Sequence, residues 1–262
     1  MSEPTPDRDR SRPAVDIGTD ALDAATGARG SVYALAARAF SDPDPEFYAA
    51  LADGSIDSAV ASLVDQTGLD VEIPDLTVEE DRDTLAARYN DLFVVGYSEV
   101  IDGTDGTIDN QGPPVSLYES TYRSDVSWND VNLDLARAYE FFGCEIGGEE
   151  RRHHDHIRLE LEFAGYLCRV AAANEAIVEG SDDANVDRAR LDFHDRHLTI
   201  LVSGLREAID DEPGTGFYGR LAGFLDEFIT ADVEDLATRL DVGAGSEREH
   251  AQRAGSNAGG SS

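Results

Sequence analysis

The stretch Asp155-His156-Ile157-Arg158-Leu159-Glu160-Leu161-Glu162-Phe163-Ala164-Gly165-Tyr166-Leu167-Cys168-Arg169-Val170-Ala171-Ala172-Ala173 reads as one helix, because its apolar residues fall into two adjacent rows at three-four spacing. Ile157, Leu161, Ala164, Cys168 and Ala171 form the first row; Leu159, Phe163, Tyr166, Val170 and Ala173 form the second. A helix apolar over so wide an arc is largely buried. Its remaining stripe, Asp155, Arg158, Glu162 and Arg169, is polar, so Asp155 is expected to face solvent or a groove.

Working outward, a second long helix from about Val186 to Ile209 carries Leu191, Leu198, Leu201 and Leu205, and Phe217 to Ile229 supplies a further amphipathic one. Upstream, Ser31 to Phe40 is compact and apolar, and Pro43 and Pro45 before Glu46 suit the start of the next helix. Ser55 to Gln66 repeats the pattern through Ile56, Ala59, Val60, Leu63 and Val64, with Gly68 as its stop. Thr77 and Glu80 form a capping box for a helix that carries Leu85, Tyr89, Leu92 and Phe93 and ends near Gly96. The longest break, Ser98 to Val115, holds Gly103, Gly106, Gly112 and Pro113-Pro114, and its length suggests function. Leu133 to Phe142 then returns to helical spacing, and no stretch alternates with period two. The expected fold is all-α: a single helical-bundle domain over residues 19–242, with many short helices and two long buried ones. Disordered tails are expected at 1–18 and at the Gly/Ser-rich 243–262.

The chain has 262 residues, of which 41% are hydrophobic, enough for one sizeable core. Its 54 acids against 21 bases leave a formal charge of −33, which argues against phosphate-backbone binding and so against nucleic acid. All the bases are Arg; with no Lys, Walker-A phosphate binding, Schiff-base and Ser-Lys chemistry lose their central residue. An acid excess spread along an otherwise apolar-rich chain reads as salt adaptation, because molar salt shrinks the Debye length to about 3 Å and removes most of the self-repulsion. A halophilic cytoplasm is the expected setting. Cys144 and Cys168 form no C-x-x-C, so reduced thiols are expected. Neither an apolar leader region nor a run of eighteen apolar residues occurs, which predicts a soluble, intracellular protein without membrane insertion.

His153, His154 and His156, with His194 and His197 one helix later, invite a metal site or a helical metal- or ligand-binding enzyme. Their rows, however, are shared with Leu191, Leu198, Phe193 and Ile200, so packed, hydrogen-bonded imidazoles explain the last two, and no metal or cofactor is expected. The Asp102-Gly103-Thr104-Asp105-Gly106 turn fails as an EF-hand, since aligning Gly106 with the invariant glycine puts Ile101 and Gly112 in ligand positions. No nucleophile elbow or dinucleotide fingerprint is present. Neighbouring carboxylates such as Glu160/Glu162 are ordinary in so acidic a chain.

Three stretches, in this order, resemble the TorD/DmsD/NarJ-type redox-enzyme maturation chaperones. Tyr89-Asn90-Asp91-Leu92-Phe93-Val94-Val95-Gly96 is similar to that family's helix ending in Leu-Phe. Pro113-Pro114-Val115-Ser116-Leu117-Tyr118-Glu119-Ser120-Thr121-Tyr122 resembles its proline-led segment. His154-Asp155-His156 looks like its Asp-His motif opening a long helix. The likeness spans roughly residues 30 to 235. It departs at Arg152 and His153, which stand where the family has Glu-Pro. Asp155 at a helix start also suits an N-cap, which needs no function to explain it.

The resemblance implies an all-helical chaperone that performs no covalent chemistry. It would bind the twin-arginine leader or the immature catalytic subunit of a molybdopterin-dependent oxidoreductase of the DMSO, TMAO or nitrate reductase type, as a monomer or weak homodimer. It implies client contact through Leu92, Phe93, Pro114, Tyr118, Glu119, Ser120, Tyr122, Asp155 and His156. Core packing is the competing explanation for Leu92 and Phe93, and loop packing for the tyrosines.

Overall fold

Asp-rich composition becomes structure at the helix starts. Asp23 caps α1 (Ala24–Ala39) by accepting from Ala25 N–H at 3.0 Å. Asp44 caps α2 (Pro45–Ala52), accepting from Glu46 and Phe47 N–H at 2.9 and 2.8 Å. These backbone hydrogen bonds hold the Asp44 carboxyl below its ordinary range. α3 (Ser55–Thr67) stops at Gly68, whose φ of +70° is the left-handed end expected from the sequence. The computed structural model that gives these contacts describes residues 23–96, 98–100, 108–110, 112–147, 153–177 and 183–257.

Three helix starts differ from expectation, one of them that of the helix Trp128–Phe141, which begins five residues before Leu133. α1 begins seven residues before Ser31, because Asp23 supplies a cap and Gly30, a poor helix former alone, sits against another helix. α4 (Arg82–Phe93) is capped by Asp81, which accepts from Thr84 N–H at 2.8 Å, rather than by a Thr77/Glu80 box. Thr77 instead donates its N–H to Asp75 in a turn, and Glu80 accepts from Arg88 at 2.6 Å. The break that follows contains a two-stranded antiparallel ladder, β1 (Ser98–Val100) with β2 (Ile108–Asn110), pairing Ser98 with Asn110 and Val100 with Ile108. The sequence pattern gives no sign of it. The Asp102–Gly106 turn lies outside the described residues.

α5 (Trp128–Phe141) leads to the long α6 (Ile157–Ile177), which runs through the core as its two apolar rows require. α1 crosses α6 at a pair of glycines. A Cβ on Gly30 would stand 3.0 Å from the Gly165 carbonyl, and one on Gly165 would stand 2.9 Å from the Gly30 carbonyl. That approach puts Val32, Tyr33, Ala36 and Ala37 against Leu161, Ala164 and Cys168 in one core. The expected second long helix is α7 (Asp183–Phe193) and α8 (Thr199–Asp210), joined by a single π turn at His194–Leu198. The π turn buries both His194 and His197. α9 (Phe217–Asn257) closes the bundle and passes the Gly243 boundary where the sequence suggested a tail. Residues 1–18 lie outside the described residues.

Asp232 of α9 ties the bundle together from inside. It accepts from Arg29 at 2.8 Å, from Arg190 at 3.2 Å and from the Tyr33 hydroxyl at 2.7 Å, with His194 Nε2 at 3.5 Å. Burial alone would raise its carboxyl, yet His194, Arg190 and Arg29 together hold it far below the ordinary carboxylate range. Nearby Cys168 is a buried thiol pushed up to about 12, which makes it inert. The fold is all-α with one contiguous core.

Candidate functional site

Three segments distant in the chain meet at the start of α6. Val115 N–H donates to the Leu92 carbonyl at 3.0 Å and fastens the proline-led segment to the end of α4. Pro114, half-buried, leads into that bond. Tyr118 and His156 then form an isolated antiparallel bridge, in which Glu119 N–H donates to the Asp155 carbonyl at 2.9 Å and Ile157 N–H to the Leu117 carbonyl at 2.8 Å. Beyond the bridge the chain makes a 3-10 turn, Glu119–Tyr122. The Tyr122 hydroxyl donates to the Ser116 carbonyl at 2.6 Å, and its ring lies on α8 at Gly204, where a Cβ would come within 2.5 Å of it. The three stretches that carried the family resemblance are thus one structural unit.

His156 is the residue that caps α6. Its Nδ1 accepts from Arg158 N–H at 3.1 Å, which requires that nitrogen to be unprotonated. Burial pushes the imidazole down to about 4, against the pull of Asp155, and so agrees with that hydrogen bond. Asp155 does not cap the helix and does not face solvent or a groove. It is fully buried, and its Oδ2 accepts from Ser120 N–H at 3.3 Å and from Ser120 Oγ at 2.6 Å. A partner 35 residues upstream pulls it inward, which local spacing cannot reveal.

Glu119 is likewise a buried structural acid, not an exposed client contact. Oε1 accepts from Arg123 at 2.7 Å, and Oε2 lies 2.9 Å from His197 Nδ1. The other ring nitrogen of His197 lies 3.1 Å from Asp134 Oδ2. Glu160, one turn into α6, is fully buried beside this group. Burial, then Glu119, then Asp155 push its carboxyl well above the ordinary range, and neither of its oxygens has a hydrogen-bond partner among the described residues.

Leu92 and Phe93 are also buried. Each is 6% exposed, and Phe93 packs edge-on to Phe40 and Tyr218 with centroids at 6.1 and 5.1 Å. Their side chains are core, and the apolar surface at this helix end belongs to the exposed Val94 and Val95.

Tyr118 does reach the surface, 36% exposed, with its ring 5.1 Å from His156 and 5.3 Å from His153. Between this aromatic cluster and the end of α1 opens a groove of about 300 Å³. Phe40, Tyr89, Tyr118, His153, His156 and Leu159 supply its apolar and aromatic lining, and Asp42 and Arg158 its charges. Sequence reasoning named Tyr118 and His156 as site residues but not Phe40 and Asp42, which follow the end of α1, or Arg158 of α6, and these share no motif. From the sequence His153 reads as a metal candidate and Tyr89 as a core position.

The histidines do not converge. His194 faces Tyr33 and Asp232, His197 lies between Glu119 and Asp134, and His153 and His156 flank Tyr118. Among the described residues no group of three His, Cys, Asp or Glu side chains is arranged to hold a metal ion. The same residues include no helix long and apolar enough to cross a membrane.

The site is thus a groove assembled by docked segments on a helical body, and comparison with known proteins gives the class. Residues 51–200 match the family model described as nitrate reductase delta subunit. The selenate reductase assembly chaperone protein of Thauera selenatis is 32% identical over 214 residues, covering 81% of this chain and 93% of the relative. The chlorate reductase assembly chaperone protein of Ideonella dechloratans is 30% identical over 202 residues, covering 76% and 86%. A solved redox enzyme maturation protein from Archaeoglobus fulgidus gives a TM-score of 0.43 at 18% identity, over 77% of this chain and 93% of that one. The chain belongs to the nitrate reductase delta subunit family of molybdoenzyme maturation chaperones.

Proposed function

We propose that this protein is a cytoplasmic assembly chaperone, a monomer or weak homodimer, that binds the immature catalytic subunit of a molybdopterin-dependent oxidoreductase or its twin-arginine leader. It holds the client during cofactor insertion, assembly or export and then releases it. The observation that carries this reading is the docking of Pro113–Tyr122 onto the start of α6, which sets Tyr118 and His156 on the wall of an open groove. The assembly clients named for the selenate and chlorate reductase relatives are enzymes of the same broad kind.

An apolar leader segment is the natural occupant of such a groove. Burying a few large apolar side chains contributes roughly 1.5–3 kcal/mol each before ordering costs, enough for a micromolar complex. In molar salt exposed ion pairs are screened while apolar burial is strengthened, so contact with Tyr118, Tyr89 and Leu159 dominates the affinity. Co-purification from native high-salt lysate tests the reading. The expected partner is a cofactor-deficient catalytic subunit, absent once the enzyme is mature. Persistent association with mature enzyme, or turnover by the isolated chain, would overturn it.

A further inference from the structure

The face formed by α5, α6 and α7, away from the Tyr118 groove, carries an exposed aromatic that the chaperone groove does not use. Phe141 is 83% exposed, and its ring stands 5.1 Å from that of half-buried Phe142. Beside them lies a trough of about 300 Å³ floored by Phe142, Phe163, Leu167 and Phe193, and no residue of its lining belongs to the Tyr118 groove. An aromatic left this open on a surface otherwise dominated by acids is what an interface anchor looks like before its partner arrives.

The charges around the trough identify the kind of partner. Asp134 and Asp192 are both hydrogen-bonded to Arg196, so their charges are answered locally. Arg137, on the same rim and exposed, has no hydrogen-bond or ion-pair partner among the described residues. In a chain with 54 acids and 21 bases, an unanswered guanidinium at the edge of an apolar trough is complementary to a carboxylate brought from outside. We infer that this face is a second docking surface, occupied by an amphipathic segment of the client's catalytic subunit that sets an acidic side chain opposite Arg137 and apolar ones against Phe141. The inference rests on the proposed chaperone function but concerns a different face, so one client would be held at two places at once.

Calorimetry of the full chain against the co-purified, cofactor-deficient catalytic subunit tests it, with Phe141→Ser, Arg137→Glu, Arg137→Gln and Tyr118→Ala variants. All three positions are at the surface, and thermal melts check that the variants keep the fold. Phe141→Ser is expected to weaken binding at least tenfold. Arg137→Glu should weaken it clearly more than Arg137→Gln, because only the former sets like charges opposite each other. The Phe141 and Tyr118 losses should multiply in the double variant. Unchanged affinity in Phe141→Ser would overturn the inference while leaving the Tyr118 groove intact. Equal losses in the two Arg137 variants would overturn the acidic partner segment. Loss of a homodimer rather than of client binding would assign the face to a second copy of this chain, and wild-type protein that binds no catalytic subunit would overturn the proposed function together with this inference.

Discussion

Ser120 gives both its backbone N–H and its hydroxyl to one oxygen of Asp155, at 3.3 and 2.6 Å, and so pins the 3-10 turn to the residue that precedes the His156 cap. Asp155 is fully buried and its other oxygen has no hydrogen-bond partner among the described residues, so it depends on that serine. Ser120→Ala removes the hydroxyl donor and keeps the backbone N–H, and is expected to cost about 1–3 kcal/mol, the penalty of leaving a buried acceptor short of a donor. Denaturant unfolding in high salt measures it, and a loss under 0.5 kcal/mol would show that the pair is not a fastening.

Glu160 should make the protein less stable in alkali. Folded, it keeps its proton well above the ordinary 4.5; unfolded, it loses it there, so the folded chain binds more protons and stability declines as pH rises through the folded value. Glu160→Gln keeps a neutral donor beside Glu119 and removes the titration. Its melting temperature is expected to exceed that of wild type increasingly as pH rises above the ordinary 4.5. A parallel pH dependence in the two proteins would refute the assignment.

His156 acts on the opposite limb. Its folded value of about 4 lies below the ordinary 6.5, so the unfolded chain binds the extra proton and the stabilisation present above 6.5 disappears as pH falls toward 4. His156→Asn retains a side chain able to cap α6 without titrating in this range. Its acid limb should be flatter than that of wild type between pH 6.5 and 4.5, as read from melting temperatures at fixed salt.

Removing Asp232 should be the costliest change to a charged residue. Asp232→Ala leaves the Arg29 and Arg190 guanidiniums buried without their shared acceptor, for a loss of about 3–5 kcal/mol. Unfolding at several salt concentrations separates this buried contribution, which persists, from surface electrostatics, which salt screens. The formal charge of −33 gives the companion expectation that wild-type melting temperature climbs steeply from low salt to molar KCl. Full stability in salt-free buffer would contradict the salt adaptation read from composition.

What the sequence disclosed followed locality. α6 was legible because its two apolar rows lie within one segment, and α3 because Gly68 marks its end. The cap of α4 was misread because Thr77 and Glu80 imitate a capping box one turn early, while Asp81 three residues before Thr84 satisfies the same geometry. The burial of Asp155 and Glu119 was hidden because their partners, Ser120, His197 and Arg123, include residues 35 and 78 positions away. Arg29 and Asp232, 203 positions apart, left no trace at all. The motif around Tyr118 and His156 was found through its resemblance to a family, but the groove they share with Phe40 and Arg158 needed the helices in place.

The central claim is that a client polypeptide is held in the groove walled by Tyr118 and His156. Titrating the purified, cofactor-deficient catalytic subunit into wild-type and Tyr118→Ala protein in molar salt tests it most directly. Tyr118 is partly exposed and its side chain makes no core contact that the variant would forfeit wholesale, so the fold should melt within a few degrees of wild type. The account expects at least tenfold weaker binding, about 1.4 kcal/mol or more, as for the loss of one well-packed aromatic. Equal affinity in the two proteins would contradict it.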